Sequence, residues 1–314
     1  MCTAIYLNEV GLFGRTFDYE KSYGERLVFT PREHMQMGEA CNRYATLGVG
    51  LARGGSTFYY DGMNEWGLCG AALNFPGYAV YHNEINKKAG VPAGLFLSFA
   101  LGFCKNTSEI RDLLNNISIT GDDILGLPAT PLHWMFADSK GTITVESTEG
   151  GLHVMDNPYG VLTNSPNFEV QKLLLSDYMT LHPGYPENRL VKTPLAVYSR
   201  GMGALGLPGD FSSRSRFVRG VFVKENTRLI TEQDQQINRM KHILSSVSVP
   251  CGCIMNEMGE AGSTLYSCIM DSETLTYYFA SYENQTLRGV RLYPEKREQE
   301  IWEVYSSFNV DILN

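Results

Sequence analysis

A cysteine stands second in the chain, directly behind Met1. A small residue at that position permits removal of the methionine, which would leave Cys2 with a free α-amine of pKa about 7.7–8.0 beside its own thiol. A nucleophile that carries its own base in this way is a variant of the nucleophile–base pairing used for acyl transfer. Taken alone, the residue is equally consistent with an ordinary cysteine. Its company favours chemistry. The run Gly14-Arg15-Thr16-Phe17-Asp18 falls on the return arm of a hairpin predicted from strands at 2–7 and 12–17, so it comes back beside Cys2. With Arg15 and Asp18 bracketing the strand end, the guanidinium favours a thiolate and the carboxylate orients the amine. The alternative is a surface ion pair of little energetic weight.

Two asparagines stand at predicted strand ends. Asn164 precedes Ser165-Pro166, which fits an N-cap followed by proline at the first helical position. An amide donor and a helix dipole there can both face a developing oxyanion. Asn74 precedes the turn pair Pro76-Gly77. Locally, both asparagines also read as plain turn residues, and Arg216 within Arg214, Arg216 and Arg219 reads as a basic helix face.

Other chemistries lack support. Gly201-Met202-Gly203-Ala204-Leu205-Gly206 matches a dinucleotide glycine pattern, but Leu207-Pro208-Gly209 prevents the helix that would receive the pyrophosphate, so a loop is expected. The sequence has no Gly-x-Ser-x-Gly and no His-Glu-x-x-His, and its six histidines are isolated. His133, within an apolar strand, reads as a satisfied core residue. The seven cysteines follow no framework spacing, which points to reduced thiols and a cytoplasmic protein. Cys251-Gly252-Cys253 lacks the spacer of a zinc knuckle and reads as structural, so neither metal nor cofactor is expected.

The elements that must position these residues come in blocks. Strands are predicted at 2–7, 12–17, 26–29, 45–51, 57–60 and 68–73, followed by helices at 93–103 and from a capping box at Asn106 through Leu114. Strands return at 133–137, 142–146, 152–155 and 160–163. Helices follow from Ser165, at 216–223 and after Thr231, then strands at 264–270, 275–282 and 287–292. Blocks without strict alternation argue for an α+β class in one domain over 1–314, with two helix layers covering sheet material. Residues 181–209, rich in Pro and Gly, read as an excursion from the body. The net charge of −8, with no Lys/Arg run, disfavours nucleic acid as a partner. The most apolar stretch, 89–104, is interrupted by Pro92 and too short to span a membrane, and no secretory signal is read at the N-terminus.

Seven segments recur in an order that resembles the choloylglycine hydrolase family of bile salt hydrolases and penicillin V acylases. They are Met1-Cys2-Thr3, Gly14-Arg15-x-x-Asp18, Asn64-Glu65-x-Gly67-Leu68, Leu73-Asn74-Phe75-Pro76-Gly77-Tyr78, Leu132-His133-Trp134, Leu162-Thr163-Asn164-x-Pro166 and Ser215-Arg216-Phe217-Val218-Arg219. The resemblance implies a four-layer αββα sandwich of the N-terminal-nucleophile hydrolase type. It implies Cys2 as nucleophile, Arg15 and Asp18 as its partners, Asn74 and Asn164 as oxyanion donors, and Arg216 completing the polar network. It further implies hydrolysis of glycine- or taurine-conjugated bile salts through a thioester, with Phe17, Tyr23, Tyr60, Ile124 and Leu127 at pocket positions. The excursion at 181–209 would serve a homotetramer. Asn74 favours the bile salt branch, since penicillin V acylases of the related type tend to carry Tyr there; the alternative activity is that of a penicillin V or other N-acyl amide acylase, such as one acting on acyl-homoserine lactones.

Overall fold

A computed structural model describes residues 1–36, 40–82, 89–229 and 231–306. Two large antiparallel sheets dominate the described residues. The first runs in the order Val161–Leu162, Cys2–Leu7, Leu12–Tyr19, Ala261–Asp271, Thr276–Ser281, Arg288–Arg291, with Ile254–Met255 pairing to Ala261–Asp271. The second runs Gly151–Asp156, Gly141–Thr148, Leu132–Asp138, Cys69–Asn74, Ser56–Asn64, Thr46–Arg53, Arg26–Thr30, Glu300–Trp302. The hairpin expected at the start of the chain is present, with Cys2 opposite Phe17 and Ala4 opposite Arg15.

Alternation along the strands assigns each face a partner. Ala4 of the first sheet and Leu47, Met63, Ala71, Leu73 and Met135 of the second belong to one buried cluster, which glues the sheets face to face. Burying each larger side chain of that set contributes roughly 1.5–3 kcal/mol. On the outer face of the first sheet, helices Ser213–Asn226 and Gln233–Ser245 pack closely. Gly14 makes this possible: a Cβ there would stand 2.7 Å from the Met240 sulfur. The outer face of the second sheet is covered by helices Ala93–Phe103 and Thr107–Leu114, with Phe96 edge-on to Trp134 at 4.9 Å. The result is the αββα layering that the family resemblance implies, within the α+β class read from the block order.

One sequence expectation changes here. Ser165 does not cap the third helix: Asn167 does, its side chain accepting from Val170 N, and the helix spans Phe168–Leu175. The reason is that Ser165 Oγ is engaged elsewhere, donating to Pro76 O at 2.7 Å. Asn106 does cap its helix, accepting from Glu109 N. The glycine segment at 201–206 forms a short 3-10 turn over Met202–Ala204 after Gly201 at φ +80°, with no helix behind it. Residues 181–209 are largely exposed, including Leu190 at 86% and Tyr198 at 83%.

Candidate active site

The expected strand 12–17 continues to Tyr19, because Ala261–Asp271 pairs alongside it as far as Ser263 opposite Tyr19. Asp18 therefore lies inside the strand and not at its end. Arg15 and Phe17 share the inter-sheet face with Cys2, whereas Thr3, Thr16 and Asp18 point the other way, toward the helices. Cys2 and its neighbours are thus served from both sides of one sheet.

On the inter-sheet side, Arg15 Nη2 donates to Cys2 Sγ at 3.2 Å and to Ala72 O at 2.9 Å. Its Nη1 pairs with Asp61 Oδ2 at 2.7 Å, and both side chains are buried. Asp61 also accepts from the Tyr266 and Tyr277 hydroxyls and weakly from the Cys268 thiol. Burial works against the charge on Arg15, but Cys2, Tyr266 and Asp61 outweigh it and hold the guanidinium well above its ordinary pKa. Burial, then the Asp61 charge, pushes Tyr266, Tyr277 and Cys268 up, so all three stay protonated around the carboxylate.

On the helix side, Asp18 accepts from Thr264 Oγ1 at 2.6 Å and from Thr16 Oγ1 at 3.2 Å. Arg216 Nη1 lies 3.8 Å from the same carboxylate. That arginine, buried on its helix, donates to Cys2 O and Thr3 Oγ1, both at 2.6 Å, and to Asn164 Oδ1 at 2.7 Å. Cys2 N donates to the same Asn164 Oδ1 at 2.9 Å. Met1 prolongs the strand: its backbone oxygen accepts from Asp18 N at 2.9 Å, and its amino group donates to Asp18 O.

The asparagines adjoin each other. Asn164 Nδ2 donates to Asn74 O at 2.7 Å, leaving its second amide hydrogen over. The Asn74 side-chain amide has no hydrogen-bond partner among the described residues. Asn164 is fixed on its backbone too, with its N–H on Ser213 Oγ at 2.9 Å and its carbonyl accepting from Gln171 Nε2.

Next to Arg15 opens a pocket of roughly 330 Å³ whose lining is mostly apolar. Phe17, Tyr23, Tyr60, Ile124 and Leu127 all line it, joined by Phe58 and Leu132. Phe17 is stacked between Tyr60 at 5.1 Å and Tyr266 at 5.0 Å, with the Arg15 guanidinium 4.9 Å from its ring. A volume of that order with few polar anchors suits a small apolar ligand.

Arg15, Asp18, Asn74, Asn164 and Arg216, the five residues singled out with Cys2 from the sequence, therefore gather around it, Asn74 through its bond to Asn164. Sequence reasoning missed Asp61, Thr264, Tyr266, Tyr277, Ser213 and Gln171. Asp61 left one signal: a lone carboxylate in the otherwise apolar run Phe58-Tyr59-Tyr60-Asp61-Gly62-Met63 requires a buried cation. Among the described residues no group of three or more His, Cys, Asp or Glu side chains is placed to hold a metal ion. Cys251 and Cys253 are exposed, so they are surface turn residues and no part of a core.

Two stacked antiparallel sheets between helix layers, with a cysteine opening the first strand, define the N-terminal-nucleophile hydrolase class. Within that class the sequence matches the linear amide C–N hydrolases of the choloylglycine hydrolase family over residues 2–300, and the chain belongs to that family. It is 38% identical over 299 residues to a bile salt hydrolase/transferase of Lactiplantibacillus plantarum, covering 93% of this chain and 92% of the relative. It is 35% identical to a bile salt hydrolase/transferase of Clostridium perfringens, covering 94% of this chain and 93% of that one. The crystal structure of the C2A mutant of the C. perfringens conjugated bile acid hydrolase superposes with a TM-score of 0.90 at 31% identity, covering both chains fully. A penicillin V acylase of Agrobacterium tumefaciens shares the fold, with a TM-score of 0.77 at 21% identity over 98% of this chain and 95% of the other.

Proposed function

We propose that this chain hydrolyses the amide bond of glycine- or taurine-conjugated bile salts, with Cys2 as an N-terminal nucleophile after loss of Met1. The observation that carries the reading is Arg15 Nη2 at 3.2 Å from Cys2 Sγ, with the same arginine lining the apolar pocket. A steroid acyl group seated there would bring its amide carbonyl to the sulfur. The names borne by its relatives support the choice of conjugate, and so does Asn where related acylases tend to carry Tyr.

In the proposed cycle the freed α-amine accepts the thiol proton while Arg15 stabilises the thiolate. The sulfur attacks the carbonyl carbon, and the oxyanion is held by the Asn74 amide and the spare hydrogen of Asn164 Nδ2. Asp18 and Arg216 orient the nitrogen and carbonyl of Cys2. The α-ammonium returns the proton to the departing nitrogen, releasing glycine or taurine and leaving a thioester. Water, deprotonated by the α-amine, adds to the thioester and frees the bile acid and the thiol. A second amine in place of water would give acyl transfer, the activity named alongside hydrolysis in two of the relatives.

The long shared core between the sheets supports a single domain over 1–314. The exposed apolar side chains Leu190, Leu195 and Tyr198 of the excursion support its use in a homotetramer. Free cysteines throughout the described residues support a reduced, cytoplasmic setting, and no helix among those residues is long and apolar enough to cross a membrane.

The deciding experiment incubates the processed protein with glycocholate, taurocholate and penicillin V and quantifies the released acyl group. Turnover of a conjugated bile salt above penicillin V is expected. Inertness toward both conjugates would overturn the reading.

A further inference from the structure

We infer that His133 and Glu146 form a buried positioning pair that sets the two asparagine-bearing segments at the site, an inference that rests on the acyl chemistry proposed for those asparagines. Neither residue touches the Cys2 sulfur. Their influence runs through the backbone next to it.

Both ring nitrogens of His133 face acceptors. Nδ1 lies 2.9 Å from Glu146 Oε1 and Nε2 lies 2.8 Å from Thr163 O. A neutral imidazole has one N–H, so satisfying both contacts takes one more proton than a neutral ring and a carboxylate hold between them. That proton sits on the ring or on the carboxyl; in either assignment the buried pair is net neutral and both edges are bonded. The Glu146 carboxyl also accepts from Phe168 N at 3.0 Å, at the first residue of the helix that follows Asn164. The face of the ring is used as well: Phe75 stacks on it at 4.2 Å with 6° between the planes.

One imidazole is therefore edge-bonded to residue 163 and face-packed on residue 75, the neighbours of Asn164 and Asn74. The Asn164 Nδ2 to Asn74 O bond closes the ring of contacts. A core-filling histidine would need only satisfied nitrogens. This one is shared between the two segments whose spacing sets the proposed oxyanion donors, where a displacement of about 1 Å can cost on the order of 10²-fold in rate.

The test compares two reactions at Cys2 in the processed protein, each followed by mass on the N-terminal peptide. Acylation by p-nitrophenyl acetate passes through a tetrahedral oxyanion. Alkylation by iodoacetamide, in which sulfur displaces iodide, does not. His133→Leu is expected to slow acylation by at least about tenfold and to leave alkylation within about twofold. Glu146→Gln is expected to keep acylation within about threefold, because its amide can donate to a neutral Nδ1 and accept from Phe168 N. If His133→Leu does not fold, Phe75→Leu decides, since it removes only the stack and should slow acylation alone. Acylation and alkylation falling together, or acylation unchanged, would overturn the inference. A wild-type protein that is acylated by the ester yet inert to conjugated bile salts would sink the substrate assignment and leave this inference decided by the ester arm.

Discussion

Arg15 and Arg216 reach Cys2 from opposite faces of one sheet. Arg15 Nη2 lies 3.2 Å from its sulfur, and Arg216 Nη1 lies 2.6 Å from its carbonyl oxygen. Each guanidinium has its own buried carboxylate, Asp61 for Arg15 and Asp18 for Arg216. The two differ in charge security. Burial pulls Arg216 below its ordinary pKa against the opposing pull of Asp18 and Cys2. For Arg15 the pull of Cys2, Tyr266 and Asp61 prevails over burial. The firmer cation is the one at the sulfur, where the proposed chemistry calls for a thiolate.

The Arg15–Asp61 pair should behave as a buried ion pair whose halves cannot be removed singly. Arg15→Met leaves Asp61 with two tyrosine hydroxyls and no cation, and should cost about 3–5 kcal/mol in urea unfolding as well as activity. Arg15→Met combined with Asp61→Leu should recover much of that stability and none of the activity. A double variant as unstable as the sum of the singles would show that the pair does not act as a unit.

Asn74→Ala should lower kcat by about 10²–10³ with little change in KM, the pattern for an interaction made only in the transition state. Asn164→Ala should be worse in kcat and also in stability, because Asn164 Oδ1 is the shared acceptor of Cys2 N and Arg216 Nη2. Steady-state kinetics on glycocholate read both. A KM effect alone for Asn74→Ala would remove it from the chemistry and make it a binding residue.

How much of this was legible beforehand follows from which contacts are local. The hairpin that returns Arg15 to Cys2 is encoded by two apolar runs and a short turn, so it could be read directly. The strand's extension through Asp18 was not readable, because it depends on pairing with Ala261–Asp271, more than 240 residues away in sequence. Asp61 was missed for the same reason: its partners Arg15, Tyr266 and Tyr277 come from three other strands. The helix cap shifted from Ser165 to Asn167 because Ser165 Oγ bonds Pro76 O, a contact no local pattern reveals. Gly14 carried a signal without its meaning; it serves helix packing against Met240, and only its neighbour Arg15 serves the sulfur.

Thiol reactivity should divide by environment. Cys41, Cys251 and Cys253 are exposed, whereas Cys69, Cys104 and Cys268 are buried. Burial pushes the Cys104 thiol up to about 12, and burial followed by nearby carboxylates raises Cys69 and Cys268 as well. A raised thiol pKa means protonation at pH 8, so these three should resist iodoacetamide in the folded protein and react only after denaturation. Rapid labelling of Cys268 in the native state would mean that the cluster around Asp61 opens.

The pocket wall should separate into residues that hold a substrate and one that also holds the machinery. Tyr60, Ile124 and Leu127 line the pocket and make no hydrogen bond to Cys2 or Asn164 among the described residues, so their alanine variants should raise KM and leave kcat near that of the wild type. Phe17 differs. It stands opposite Cys2 in the hairpin register, stacks between Tyr60 and Tyr266, and carries the Arg15 guanidinium 4.9 Å from its ring. Removing that ring opens a cavity costing about 3–5 kcal/mol and also takes away the surface that keeps Arg15 turned toward the sulfur. Phe17→Ala should therefore lower kcat as well as raise KM. Phe17→Leu, which restores volume without the π-face, should regain stability before it regains kcat. Full recovery of kcat by leucine would reduce Phe17 to a space-filling wall and leave the positioning of Arg15 to its hydrogen bonds with Asp61, Tyr266 and Ala72 O.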